Sequence, residues 1–105
     1  MKFLLSSTLL LVAATAAQAK YPDKPITVVV PFAAGGPTDK VARDLGDVLR
    51  RQHNQTIIIE NVGGAGGTLG AAKVAKASPD GYTVLLHHIG LATSPALYRK
   101  LPYDT

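Results

Sequence analysis

Two stretches of this chain join an apolar run to glycines and then to a helix start. The first is Phe32-Ala33-Ala34-Gly35-Gly36-Pro37-Thr38-Asp39, and the second is Asn61-Val62-Gly63-Gly64-Ala65-Gly66-Gly67-Thr68. Glycine removes side-chain bulk, so backbone N–H groups can approach an anion, and a helix N-terminus adds about half a positive charge. Two such loops on one edge of a parallel sheet make an anion pincer without any Lys or Arg. The same glycines also suit tight turns and close helix–sheet packing. Neither loop carries a nucleotide fingerprint. From Gly64 and Gly66, a G-x-G-x-x-G pattern would need glycine where Leu69 stands, and no Gly-Lys pair exists to build a phosphate loop. A smaller anion, such as a carboxylate, is compatible.

The rest of the chemical inventory is thin. His87 and His88 are adjacent, so on a strand they would point to opposite faces and would not chelate one metal. They read as structural or pocket-lining residues. Asp39 can cap a helix or hydrogen-bond a ligand amine or water. No Ser–His–Asp order and no paired carboxylates stand out, and Asn54-Gln55-Thr56 matches the short glycosylation pattern. With no cysteine there is no disulfide framework, thiolate zinc site or Cys nucleophile. Neither a metal nor a cofactor is expected.

The elements that must position these loops follow from the apolar pattern. Ile26-Thr27-Val28-Val29-Val30 and Thr56-Ile57-Ile58-Ile59-Glu60 are short β-branched runs, apolar on both faces, as in a parallel sheet covered by helices. Tyr82-Thr83-Val84-Leu85-Leu86 predicts a third strand. A helix over 39–53 is expected to face the sheet with Val41, Leu45, Val48, Leu49 and Gln52, capped by Thr38 or Asp39. Asp39 with Arg43, and Lys40 with Asp44, are one helical turn apart. Gly46 costs about 1 kcal/mol against Ala in a helix interior. A small, Ala-rich helix follows over 68–77, capped by Thr68, and Ser78-Pro79-Asp80-Gly81 is a turn. Around Ala96-Leu97-Tyr98, between Pro95 and Pro102, one helical turn is expected. The order β-loop-α-β-loop-α-β implies right-handed crossovers and an α/β fold with a parallel sheet.

The chain has 105 residues, 11 of them Lys or Arg against 7 Asp or Glu. The basic residues are scattered and only 6% of residues are aromatic, which argues against a nucleic-acid arm. Lys2, the apolar stretch from Phe3 to Ala17 and the Ala17-Gln18-Ala19 site read as an export leader cleaved after Ala19. The apolar run is shorter than the ~20 residues of a membrane span. Without Lys2 the net charge falls from +4 to +3. The expectation is an exported protein, free in a periplasm-like compartment.

Longer motifs narrow the choice. Tyr21-Pro22-x-Lys24-Pro25-Ile26 and Val30-Pro31-Phe32-x-x-Gly35-Gly36-x-Thr38-Asp39-x-x-Ala42-Arg43 open a series. It continues through Glu60-Asn61, Gly64-Ala65-Gly66-Gly67, Ala77-x-Pro79-Asp80-Gly81-Tyr82-Thr83, Pro95-Ala96-Leu97-Tyr98 and Leu101-Pro102-Tyr103-Asp104. The series resembles the solute receptors of tripartite tricarboxylate transporters, the Bug or TctC-type periplasmic binding proteins, across essentially all of the chain after Ala19.

That resemblance implies a two-lobed, Venus-flytrap fold that closes on a small carboxylate solute and delivers it to the transporter's membrane components. It implies no catalysis. Carried over residue by residue, it gives Phe32, Ala33, Gly35, Gly36, Thr38 and Asp39 in the first loop as ligand-binding positions. In the second loop it gives Gly64, Ala65, Gly66, Gly67 and Thr68, and His88 is carried as pocket lining. Val62-Gly63 departs from the family, where a basic residue and a proline are common; the departure changes loop stiffness and local charge. The resemblance further implies that residues 20–105 form only part of lobe one, so the chain reads as an N-terminal fragment. From the residues alone, a small exported α/β enzyme using the loops as an oxyanion cradle is the other reading.

Overall fold

A computed structural model describes residues 20–104; the leader and its cleavage site lie outside the described residues. Three parallel strands form one sheet: β1 (Ile26–Val30) is central, flanked by β2 (Ile57–Asn61) and β3 (Thr83–Leu85). Strand pairing sets Val30 beside Asn61 and Val29 beside Leu85. Three helices accompany them: α1 (Pro37–His53), α2 (Thr68–Ala75) and α3 (Gly90–Leu97).

β1 is buried on both faces, because it alone has a strand on each side and a helix above and below. Val28, Val29 and Val30 are buried. Side chains alternate along a strand, so the faces can be assigned. Ile57 and Ile59 meet α1 at Gly46, whereas Glu60 pairs with Lys73 of α2 on the opposite side. The crossover helices therefore cover opposite faces. The expectation of two buried faces fails for β2, where Ile58 is exposed: β2 is an edge strand, and its α2 side is only partly covered.

The packing face of α1 also differs from the apolar pattern. Ala42 and Gly46 are buried, while Val41, Leu45 and Val48 are 56%, 44% and 41% exposed, and Gln52 is exposed too. Proximity is the reason. A Cβ at Gly46 would lie 3.3 Å from Ile57 Cγ2 and 3.4 Å from Ile59 Cδ1, so the helix approaches where only small residues fit. The ~1 kcal/mol propensity cost of Gly46 is thus offset by close contact. α2 uses the same device: Gly70 packs against Pro31, where a Cβ would come within 2.6 Å of the ring carbon Cβ.

Both expected side-chain caps are corrected. Gly36 is the N-cap residue of α1, with Pro37 in the first turn and no side-chain cap, and Gly67 is the N-cap residue of α2. Thr68 instead donates its hydroxyl to Ala65 O at 2.8 Å, within the turn before the helix. α2 ends at Ala75 rather than 77. The C-terminal helix is a full eight residues from Gly90, held by Ser94 Oγ donating to Gly90 O at 2.6 Å, with Pro95 inside it. Among the described residues no helix is long and apolar enough to cross a membrane.

Candidate functional site

Because β1 and β2 are adjacent and parallel, the loops that follow them leave the same sheet edge side by side. Val62 N–H continues the ladder by donating to Val30 O at 2.8 Å. One residue on, the chains are nearly touching: a Cβ at Gly63 would lie 3.5 Å from Ala33 N. The first loop (31–36) feeds α1 and the second (62–67) feeds α2, so two helix N-termini face this edge. Backbone N–H groups in a helix's first turn have no intrahelical partner. The second loop needs its glycines, since Gly66 and Gly67 have φ of +63° and +93°.

The first loop is anchored by a buried carboxylate. Asp39, 3% exposed, accepts from Gly35 N–H at 2.9 Å, from Arg43 Nε at 2.9 Å and from Asn61 Nδ2 at 2.8 Å. Arg43, then the Gly35 amide, then Asn61 hold its pKa down to about 2, against 3.8 ordinarily. Asn61 Nδ2 also donates to Phe32 O at 3.1 Å, and Arg43 donates to Asn61 Oδ1 at 3.2 Å. Arg43 and Asn61 were not among the sequence-derived site residues. The i,i+4 spacing of Asp39 and Arg43 was a visible signal; the reach of Asn61 across from β2 was not.

The third strand delivers the histidines to the same edge. They do not splay to opposite faces as expected, because β3 ends at Leu85 and a turn follows. His88 N–H donates to His87 Nδ1, and Gly90 N–H donates to His88 Nδ1, both at 2.8 Å. The two rings lie 5.0 Å apart, nearly perpendicular. Both rest on Phe32: His88 is stacked at 4.4 Å and His87 is edge-on at 5.2 Å. Burial, then the neighbouring His88, lowers the His87 pKa below its ordinary 6.5. A depression of about 220 Å³ lies here, lined by Pro37, Thr38, Val41, Leu86, His87 and His88.

The structure thus brings Phe32, Gly35, Gly36, Thr38, Asp39, Gly67 and His88 to one edge. Ala33, Gly64, Ala65 and Gly66 are exposed on the loops above it, and Thr68 is buried at the start of α2. Gly66 has an unexpected neighbour, for a Cβ there would overlap the Tyr98 hydroxyl at the end of α3. No cluster of three or more potential metal ligands occurs among the described residues.

Comparison with known proteins gives this arrangement a family. The family described as tripartite tricarboxylate transporter family receptor matches residues 41–105. This chain belongs to that family. A protein of Agrobacterium vitis, described as the UPF0065 protein in the TAR-I ttuE-ttuC' intergenic region, is 56% identical over 87 residues, covering 83% of this chain and 25% of that protein. Among solved structures, the periplasmic binding protein BugD is 54% identical with a TM-score of 0.77, over 80% of this chain and 28% of BugD. MatC from Rhodopseudomonas palustris with bound malate is 49% identical with a TM-score of 0.75, over 80% of this chain and 29% of MatC. The chain spans about a quarter of the length of the curated relatives it matches.

Proposed function

We propose that this protein is a periplasmic solute receptor, not an enzyme, which captures a small carboxylate-bearing solute and hands it to the membrane components of a tripartite tricarboxylate-type transporter. The observation that carries this reading is the meeting of the two glycine loops at one sheet edge, with two helix N-termini behind them. In this reading the loop residues Phe32, Ala33, Gly35, Gly36, Gly64, Ala65, Gly66 and Gly67 approach the carboxylate, largely through backbone groups. Thr38, Asp39 and Thr68 shape the loops from the helix starts, and His88 lines the pocket with Phe32. The malate bound to MatC, a relative of similar fold, supports a carboxylate as the solute class. Residues 1–19 act as the export leader, so the mature N-terminus is Lys20, and residues 20–105 form part of lobe one.

A carboxylate held by backbone N–H groups gains roughly 1.5–3 kcal/mol for each charge-assisted hydrogen bond, without demanding a formal positive charge. Calorimetric titration of the full-length protein with acetate, malate and citrate tests the reading. Stoichiometric, reversible binding of at least one of them, recovered unchanged, is the expected result. Absence of binding to all three, or chemical turnover of a bound acid, would overturn it. Mass spectrometry of the exported protein checks the leader, with Lys20 expected as the first residue.

A further inference from the structure

One side chain touches both glycine loops at once. His87 sits after β3 with its ring edge on Phe32 of the first loop, 5.2 Å between centroids. Its Nε2 faces Gly67 of the second loop so closely that a Cβ there would come within 2.6 Å of it. That Nε2 is buried and has no hydrogen-bond partner. We propose that His87 is a positioning residue that sets the gap between the two loops, and that it does so only as a neutral imidazole carrying its proton on Nε2. The proposal rests on the receptor reading for its consequence on solute affinity, but not for the loop coupling itself.

The hydrogen bonds explain why neutrality matters. Nδ1 of His87 accepts from His88 N–H at 2.8 Å, so the proton of the neutral ring belongs on Nε2. A second proton can go only to Nδ1, where it would point at a backbone N–H. The bond is then lost, and the ring must rotate out of the space between Phe32 and Gly67. His88 repeats the arrangement, its Nδ1 accepting from Gly90 N–H at 2.8 Å. The one ionisable group acting on His87 is His88, whose charge opposes a second cation beside it. Phe32, Gly67, and the α1 residues Pro37, Thr38 and Val41 that line the same depression carry no charge. Backbone groups of His88 and Gly67 favour protonation, but burial and the neighbouring His88 outweigh them, so the net shift is downward. The positioned form therefore persists above the His87 midpoint, which lies below 6.5, and is lost as pH falls through it.

The experiment is an NMR pH titration of the unliganded full-length protein, joined to succinate titrations over the same range. Amide resonances of Phe32, Gly66 and Gly67 should move with the His87 ring signal and share its midpoint. Loop amides that stay still while the ring titrates would overturn the proposal, whether or not succinate binds. If the amides follow the ring but succinate and other carboxylates never bind, the loop coupling stands and the receptor reading falls. Where succinate binds, the variant His87→Asn separates roles. Its Oδ1 can still accept from His88 N–H, but it neither reaches Gly67 nor titrates. It should bind about tenfold more weakly than wild type at pH 8. Taking the ratio of the two proteins at each pH cancels the ionisation of succinate itself. That ratio, wild type over variant, should fall from about ten toward one as pH drops through the midpoint, because protonation removes the positioning that the variant already lacks. A ratio that instead rises in acid would make His87 a cationic ligand contact, and the positioning proposal would be wrong.

Discussion

Asn61, the last residue of β2, donates through its amide nitrogen to the Asp39 carboxylate at 2.8 Å and to Phe32 O at 3.1 Å. One side chain thus fastens the end of β2 to both ends of the first glycine loop. The loop is held in shape before any ligand arrives, which is what preorganised recognition requires. Replacing Asn61 with Ala should leave Asp39 and Phe32 O short of a partner and lower stability by about 1–3 kcal/mol. Urea unfolding, with hydrogen exchange at the Gly35 amide, is the measurement. Unchanged exchange at Gly35 would show that the bridge does not restrain the loop.

Acid should release the same loop. The folded protein holds Asp39 at a pKa of about 2, below its ordinary 3.8, so the folded state binds this proton less readily than the unfolded chain. Its stabilisation is complete above pH 3.8 and is lost as pH falls toward about 2. Amide exchange at Gly35, which donates to this carboxylate, should accelerate in that window. In Asp39→Asn the acid step should vanish.

Helix α1 offers a test of which face packs. Gly46→Val should overpack the contact with Ile57 and Ile59, costing about 1–3 kcal/mol. Val41→Ala, on an exposed position, should change the stability of the full-length protein by no more than about 0.5 kcal/mol. Thermal unfolding of the two variants should separate them clearly; the reverse ranking would mean the apolar stripe is the packed face.

Gly66→Val should weaken carboxylate binding by roughly 10- to 150-fold, the equivalent of one charge-assisted hydrogen bond. The structure assigns two causes. Its φ of +63° disfavours a branched residue, and a Cβ there overlaps the Tyr98 hydroxyl. Adding Tyr98→Ala removes the second cause but not the first, so calorimetry of the double variant should show partial recovery of affinity. Full recovery would mean the backbone conformation at Gly66 is dispensable.

Residues 20–105 expressed alone should self-associate with rising concentration, because β2 and β3 both present an unpaired sheet edge. Size-exclusion chromatography across a concentration series checks this. A monomer that unfolds sharply and reversibly would contradict it.

How much of this was legible in the sequence depends on how local each feature is. The three strands and two crossover helices could be read, because β-branched runs and turn residues act within a few positions. The i,i+4 pair of Asp39 and Arg43 was equally visible, and it forms. The packed face of α1 could not be read. Hydrophobic periodicity finds large apolar residues, but the close approach of helix to sheet selects Ala42 and Gly46 instead. Asn61 in its bridging role, and Tyr98 against Gly66, were hidden for a related reason. Their partners lie 22 and 32 positions away, and only the assembled sheet edge brings them together. The histidines were misread because β3 stops two residues before them, so strand alternation does not govern their directions.

In the proposed reading, the two loops offer peptide amides where many anion sites present arginine or lysine, and that choice bears on ionic strength. Exposed charge pairs weaken as salt rises, since mobile ions screen them beyond about 8–10 Å. Short hydrogen bonds from fixed peptide dipoles are not diluted in that way. A carboxylate held there would keep its affinity as the surrounding ionic strength rises and falls. It would also gain little from long-range attraction during its approach. Such a site would trade speed of encounter for constancy of capture.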